Sequence, residues 1–375
     1  MEHAQVEPLK IAVLVKNFHG YGGAEKYAVE VTQRLAAMGH AIDLYAWAAD
    51  KRLVVDGIRH IKVPCRYKFS SFMNLWSFGR EVAALLDPGL YDAVISHDRT
   101  WGQDISVVHT FSYKTGLERY APIRKVDQVW LSPRAWVYLM LERRQMGRQQ
   151  LVPVSHVIRA DIEKHYPGAG AMHVVSPGID PDMFSPTFVA EKRETVRQKE
   201  GLRPDELVVL FVGSEFRRKG LDLTIPAIGE GMRLLIAGRG EHLAHYKRLA
   251  ETSGNSDRVT FLGLQKDVLP WYAAADVVVL PSVAEAFGMT VLEGMACGLP
   301  VIAGENAGAA ALIDHGQNGF VCAGTQDISR TLSELRDGEL RRRIGAAGRI
   351  TALENSWDCC AKSYESLCIS VAGQK

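Results

Sequence analysis

The stretch Val277-Val-Val-Leu280-Pro281-Ser-Val-Ala-Glu285-Ala-Phe287-Gly288-Met289-Thr290-Val-Leu-Glu293-Gly-Met-Ala-Cys297-Gly-Leu-Pro300-Val301 decides how this chain is read. Val277 to Leu280 is a short continuous apolar run, the pattern of a strand buried on both faces. Gly288 permits close backbone approach where the next helix begins, and Val301 to Ala303 reads as a further strand. Strand, loop, helix and strand in this order make one unit of a parallel sheet.

Outward from that unit the alternation repeats. Leu207 to Val212, Met232 to Ala237 and Val259 to Leu262 precede it as strands, with helices of ordinary length between them. Upstream of a polar, charged stretch from Pro186 to Asp205 lies an earlier series: Ile11 to Val15, Ile42 to Trp47, Tyr91 to Ile95, Ile105 to His109 and Leu151 to Val154. Apolar Tyr27, Val31, Leu35 and Met38, closed by Gly39, predict a helix between the first two of these. A chain of 375 residues is expected to form two domains. The pattern predicts an α/β protein of two Rossmann-like, doubly wound domains, residues 1–180 and 181–355. A last helix, about 356–375, follows no new strand and is expected to return to the first domain. Ligands of open α/β sheets bind beyond the carboxyl ends of the strands. Two such sheets facing each other predict a central cleft in which a donor and an acceptor meet.

Composition excludes several classes. A hydrophobic content of 47% with 23% charged residues fits a globular chain with material for a core. The formal net charge of +1 gives no global attraction to nucleic acid, which is not an expected partner, and any membrane contact has to be local. Cys65, Cys297, Cys322, Cys359, Cys360 and Cys368 form no Cys-x-x-Cys, and no histidine stands at ligand spacing from them. No metal site is expected, and the thiols read as those of a reducing compartment. Met1 to Lys10 lacks the apolar core of a secretory signal. The longest apolar candidate, Ala135 to Leu141, falls far short of the about 18 residues a membrane span needs. A cytoplasmic location is the expectation.

The densest chemistry lies in the opening stretch. Glu285 follows a strand directly, and the free amides of Phe287, Gly288, Met289 and Thr290 at a helix start suit a phosphate or sugar hydroxyls. Glu285 and Glu293 can accept hydrogen bonds from two different polyols, such as a hexose and a ribose. The ordinary alternative is a glutamate that stabilises its own helix dipole, with Glu293 solvated on the surface. A second cluster, Arg217-Arg218-Lys219-Gly220, follows the strand Leu207 to Val212 and suits a diphosphate that gains charge as it leaves. A solvated basic turn is its alternative.

The first half offers weaker signals. The loop Gly20-Tyr-Gly22-Gly23-Ala-Glu25 supplies amide donors, but Glu25 stands where Gly-x-Gly-x-x-Gly needs its third glycine, which disfavours a nicotinamide enzyme. His109, at a strand end, can donate to a sugar hydroxyl or be a satisfied core histidine. Asp98 and Asp104 are candidates for orienting an acceptor hydroxyl. Residues 114–148 carry Lys114, Arg119, Arg124, Lys125, Arg134, Arg143, Arg144 and Arg148, interleaved with Trp130, Leu131, Trp136, Tyr138, Leu139 and Met140. That mixture suits an anionic membrane surface or an anionic acceptor. It equally suits a core helix with a solvated basic face.

These residues resemble glycosyltransferase family 4, retaining enzymes of the GT-B fold. The likeness runs through Gly22 to Glu25, Val175-Ser-Pro-Gly-Ile-Asp180, Arg218-Lys219-Gly220 and the Glu285-x7-Glu293 block. It implies that Arg218 and Lys219 neutralise the leaving diphosphate, that Glu285 holds the transferred sugar and that Glu293 holds the nucleotide ribose. It implies that the Phe287 to Thr290 amides contact the sugar and β-phosphate, and that Gly22 and Gly23 approach the phosphates. His109 would contact the sugar near the reacting carbon, and Leu264 would flank the base. Catalysis would then rest on His109, Glu285, Arg218 and Lys219, with a nucleotide sugar as co-substrate and no cofactor or metal.

Most family members carry an arginine directly after the Val-Gly pair, where this chain has Ser214. The turn from Val212 to Gly220 instead looks like that of the lipopolysaccharide core glucosyltransferases acting on inner-core heptose. This resemblance implies UDP-glucose as donor, a lipid-linked saccharide as acceptor and a peripheral place at the inner face of the cell membrane. Because it rests on one turn, other donors (UDP-GlcNAc, UDP-galactose, GDP-mannose) stay open. Two other classes share the architecture: a UDP-sugar epimerase, which needs no acceptor, and a non-catalytic sugar or nucleotide sensor, which shows no turnover.

Overall fold

A computed structural model describes residues 7–67, 70–120, 132–147 and 150–375. The chain divides into two compact units, Met1–Ser176 with Trp357–Lys375, and Pro177–Ser356. Each is built on a sheet of parallel strands.

In the first unit the strands are β1 (Lys10–Leu14), β3 (Ala41–Ala46), β5 (Ile58–Lys62), β6 (Ala93–Ser96), β7 (Ile105–Val108) and β8 (Gln150–Pro153). Their order is β5-β3-β1-β6-β7-β8. A small parallel pair, β2 (Asn17–Phe18) and β4 (Ala48–Ala49), extends the loops after β1 and β3. Ile11, Ala12, Val13 and Leu14 are all buried because helices cover both faces of the central strand.

In the second unit the strands are β9 (Leu207–Val212), β10 (Met232–Ala237), β11 (Val259–Gly263), β12 (Val277–Leu280), β13 (Val301–Gly304) and β14 (Phe320–Cys322). Their order, β11-β10-β9-β12-β13-β14, repeats that of the first unit. Both sheets are therefore Rossmann-like, and the α/β class read from the alternation of apolar runs is the one observed. In both, the strand order reverses beside the first strand, between β1 and β6 and between β9 and β12. The loops leaving those strands diverge and open a crevice at the carboxyl ends.

Besides the two-residue strands β2 and β4, two strands of the main sheets escaped the sequence reading. β5 (Ile58-Arg-His-Ile-Lys62) is an edge strand with only Ile58 fully buried, so it lacks a continuous apolar run. β14 has three residues, too few for periodicity.

The second unit ends where it begins, since the Ile179 amide donates to the Asn355 carbonyl at 3.0 Å. From there the helix Trp357–Ala372 belongs to the first unit and lies along the helix Gly23–Ala37. Tyr27, fully buried, donates its hydroxyl proton to the Val175 carbonyl at 3.0 Å, so the Tyr364 hydroxyl 3.0 Å away donates to Tyr27. The Tyr27 ring also meets Trp357 edge-on, 5.5 Å between centroids. Among the described residues no helix is long and apolar enough to cross a membrane.

Candidate active site

The second unit gathers its charged residues at the switch point. After β9 the chain turns through Gly213 (φ 148°), Glu215 (φ 57°) and Gly220 (φ 79°). A Cβ on Gly220 would stand 2.1 Å from the Pro281 carbonyl oxygen, so this turn lies directly against the loop after β12. The Val283 amide donates to the Arg218 carbonyl at 3.0 Å, joining the two loops again. The Lys219 stem crosses the face of Gly213, where a Cβ would fall 2.4 Å from Lys219 Cδ.

This geometry brings Lys219 and Arg218 to one carboxylate. Lys219 Nζ donates to Glu285 Oε2 at 2.9 Å, and Arg218 Nη1 lies 3.0 Å from the same oxygen. Arg218 also donates to Glu215 at 2.6 Å and to the Ala284 carbonyl at 2.9 Å. Burial of Glu285 raises its pKa, but Lys219 and then Arg218 outweigh that effect and hold it below the ordinary carboxylate value. Burial lowers the Arg218 pKa, while Glu285 and Glu215 more than restore it, so the guanidinium stays charged. The Glu285 backbone is fixed by its amide to the Asn306 carbonyl and its carbonyl to the Gly308 amide, both 3.1 Å.

Beyond Glu285 the helix Met289–Ala296 starts at Gly288, whose φ of 100° excludes most side chains. Its first amides have no intrahelical acceptors by construction, so they form a donor site at the helix's positive end. The Thr290 hydroxyl donates to the Val212 carbonyl at 3.2 Å, tying the helix start to the end of β9. The Phe287 side chain is buried in the core, which leaves its backbone as the part available to a ligand. Glu293, half-buried, accepts a 2.5 Å hydrogen bond from Tyr272, a residue that sequence reading did not single out. Leu264 is 71% exposed just past edge strand β11, at the same carboxyl end of the sheet.

The first unit holds a second cluster at its own switch point. Asp98, after β6, accepts the Lys16 amide at 2.6 Å and thereby ties together the loops leaving β1 and β6. Burial raises the Asp98 pKa. Gly22 (φ 86°) caps the helix Gly23–Ala37, and a Cβ there would meet Glu25 Oε2 at 2.4 Å. The Glu25 carboxylate thus folds back over the helix start, while Gly23 faces open space.

His109 follows β7 and pairs with His97, with His97 Nδ1 and His109 Nε2 3.1 Å apart. The ring planes differ by only 21° with centroids 5.3 Å apart, the arrangement of an in-plane hydrogen bond. Tyr27 stands edge-on to both rings. Burial pushes the His109 pKa down to about 4. Burial and then His109 push His97 well below the usual histidine value. Both imidazoles are neutral, each with one ring proton.

One expectation needs correction. Asp104 precedes β7 and so stands at the amino end of the sheet, away from the switch point. Its carboxylate accepts the Val94 amide at 2.9 Å and pairs with Lys375 at 2.7 Å. Asp104 is a structural tie and orients no acceptor there.

The basic segment 114–148 is described in part. Arg124, Lys125, Trp130, Leu131 and Arg148, and the side chain of Arg119, lie outside the described residues. Lys114 donates to the His165 carbonyl and sits 4.3 Å over the Tyr166 ring. Arg134 stands over Tyr138 and Arg144 over Trp101. On the helix Pro133–Gln145, Trp136, Met140 and Arg143 are exposed. Among the described residues no three His, Cys, Asp or Glu side chains come together to hold a metal ion.

Comparison with known proteins agrees with this architecture. Residues 21–183 match the Glycosyltransferase Family 4 domain and residues 192–351 match Glycosyl transferases group 1. A D-inositol 3-phosphate glycosyltransferase of Mycolicibacterium smegmatis is 32% identical over 72% of this chain and 65% of its own length. The one from Kribbella flavida is 29% identical over 91% of this chain and 89% of its own. Among solved structures, WaaG, a glycosyltransferase involved in lipopolysaccharide biosynthesis, superposes with a TM-score of 0.78 at 23% identity, covering 96% of this chain and 99% of WaaG. Anabaena HepE in complex with UDP and glucose gives 0.71 at 18% identity, covering 96% of this chain and 99% of HepE. By both of its domains the chain belongs to the family 4 and group 1 glycosyltransferases, built on the GT-B fold.

Proposed function

We propose that the chain transfers a hexose from a nucleotide diphosphate sugar, UDP-glucose in the first instance, to a hydroxyl of a lipid-linked saccharide. The observation that carries this reading is the convergence of Lys219 and Arg218 on Glu285 at the switch point of the second sheet. Fixed cations beside a helix N-terminus stabilise a diphosphate most when it carries its full leaving charge. Glu285, kept ionised by those cations, accepts hydrogen bonds from sugar hydroxyls, and Glu293 does the same for the ribose. His109, neutral at physiological pH, would donate one hydrogen bond to the sugar.

The step needs no protein nucleophile and no metal. The acceptor oxygen bonds to the anomeric carbon while that carbon's bond to the β-phosphate oxygen breaks. The hydroxyl proton passes to the departing phosphate on the same face, which retains the anomeric configuration. Positioning and electrostatic stabilisation are then the protein's contributions.

The acceptor reading is supported by the turn from Val212 to Gly220, with Ser214 in the place of the common arginine, and points to a heptose of a lipopolysaccharide core. A second reading comes from the curated relatives, which act on D-inositol 3-phosphate by name. Exposed Trp136, Met140 and Arg143 support a peripheral contact with an anionic bilayer at the cytoplasmic face.

The test is a screen of UDP-glucose, UDP-galactose, UDP-GlcNAc and GDP-mannose for thermal stabilisation, followed by transfer assays. Glucose transfer to heptose-terminated lipopolysaccharide supports the first acceptor, and transfer to inositol 3-phosphate supports the second. Epimerisation of a UDP-sugar without any acceptor would overturn the transferase reading.

A further inference from the structure

We propose that Tyr272 is a positioning residue for the donor nucleoside, holding the Glu293 carboxylate in the orientation that receives the ribose hydroxyls. The proposal rests on the reading of Glu293 as the ribose ligand.

Tyr272 lies on the short helix Leu269–Ala274 with its side chain completely buried. Phe184 meets its ring edge-on at 5.6 Å, and the surrounding core includes Phe287, Val291 and Met295. A ring so enclosed has one position, and its single polar atom therefore has one position too. That atom donates to Glu293 Oε2 at 2.5 Å. Burial, and then the Glu293 charge, push the Tyr272 pKa well above that of a free phenol, so it remains a donor throughout the working range.

A half-buried glutamate on a helix otherwise samples several rotamers, each separated by a modest free energy. A charge-assisted bond to an immobile donor removes that freedom. It occupies one of the about four lone-pair sites a carboxylate offers, on Oε2, and so fixes the direction in which the group faces a vicinal diol. A tyrosine that only filled the core would gain stability from this bond but would not alter how the protein tells ribose from deoxyribose.

The experiment compares UDP and GDP with their 2′-deoxy and 3′-deoxy forms by calorimetry, on the wild type, Tyr272→Phe, Glu293→Ala and the double variant. The wild type is expected to prefer one ribonucleotide over a deoxy form by about 10- to 100-fold, the range for hydrogen bonds to a charged group. Tyr272→Phe should lose most of that preference, and the double variant should be no worse than Glu293→Ala. Preference lost in Glu293→Ala but intact in Tyr272→Phe overturns the positioning role alone. Absence of any preference in the wild type, or of binding to either diphosphate, overturns the reading of Glu293 beneath it. Should Tyr272→Phe not fold, Glu293→Asp serves instead. It keeps the charge, draws it back from the phenol, and must lose the preference for the proposal to stand.

Discussion

Lys219 Nζ and Glu285 Oε2 meet at 2.9 Å across 66 positions of sequence, with Arg218 on the same oxygen. One carboxylate thus balances two cations, and a diphosphate entering the turn competes with it for both. Glu285→Gln should leave the cations less well balanced and reduce stability at neutral pH. The folded Glu285 titrates below its unfolded value, so its stabilisation is present above the ordinary carboxylate range. It is lost as pH falls through the folded pKa. Melting curves of wild type and Glu285→Gln should accordingly converge in acid and separate toward pH 7; a constant gap contradicts the ion cluster.

The histidine pair gives a second pH signature. An unfolded histidine takes up its proton near 6.5, whereas His109 is pushed to about 4. Stability should fall as pH drops between those values, because the unfolded chain binds a proton the folded one refuses, and should not depend on this group above them. His97 Nε2 is buried without a hydrogen-bond partner. A bare ring nitrogen there costs less than an orphaned N–H, so His97 donates through Nδ1 and His109 carries its proton on Nδ1. Nitrogen-15 NMR of the imidazoles should report that tautomer. A His109 titration near 6.5 would rule the pair out.

Gly220 tests the contact between the two loops. Its positive φ and the nearness of the Pro281 carbonyl leave no room for a Cβ. Gly220→Ala should cost about 1–3 kcal/mol of backbone strain in denaturant melts and displace Lys219. Gly23→Ala meets nothing within 4 Å and is the matched control. Equal effects would contradict the assigned geometry.

For the membrane contact, Trp136→Ala combined with Arg143→Gln should weaken sedimentation with vesicles of anionic lipid while neutral vesicles show no change. Arg134 and Arg144 are poor choices because both stand over aromatic rings of their own unit. Unchanged partitioning would return this helix to an ordinary solvated face.

Much of the architecture was legible because parallel strands buried on both faces leave continuous apolar runs, as Val277 to Leu280 and Leu207 to Val212 do. The switch-point loops were legible because glycines and charges follow those runs directly. What escaped depends on contacts between separate elements. Nothing local marks Tyr272 as the partner of Glu293, or His97 as that of His109. Asp104 is a different case: it directly precedes the strand read from Ile105, so its place at the amino end was legible and only its ties to Val94 and Lys375 were not. Edge strand β5 has apolar residues only at Ile58 and Ile61, neither a continuous run nor an alternation, so its pattern was too weak to read.

At the heart of the proposed function stands the assignment of Lys219 and Glu285 to the donor site of a glycosyl transfer. It is tested most directly by measuring nucleotide diphosphate release and sugar transfer from UDP-glucose by wild type, Lys219→Ala and Glu285→Ala, each checked for folding. Either variant should lose about 10²–10³-fold in kcat, the scale of one fixed group in a transition-state site. Near wild-type transfer by both folded variants would contradict that assignment.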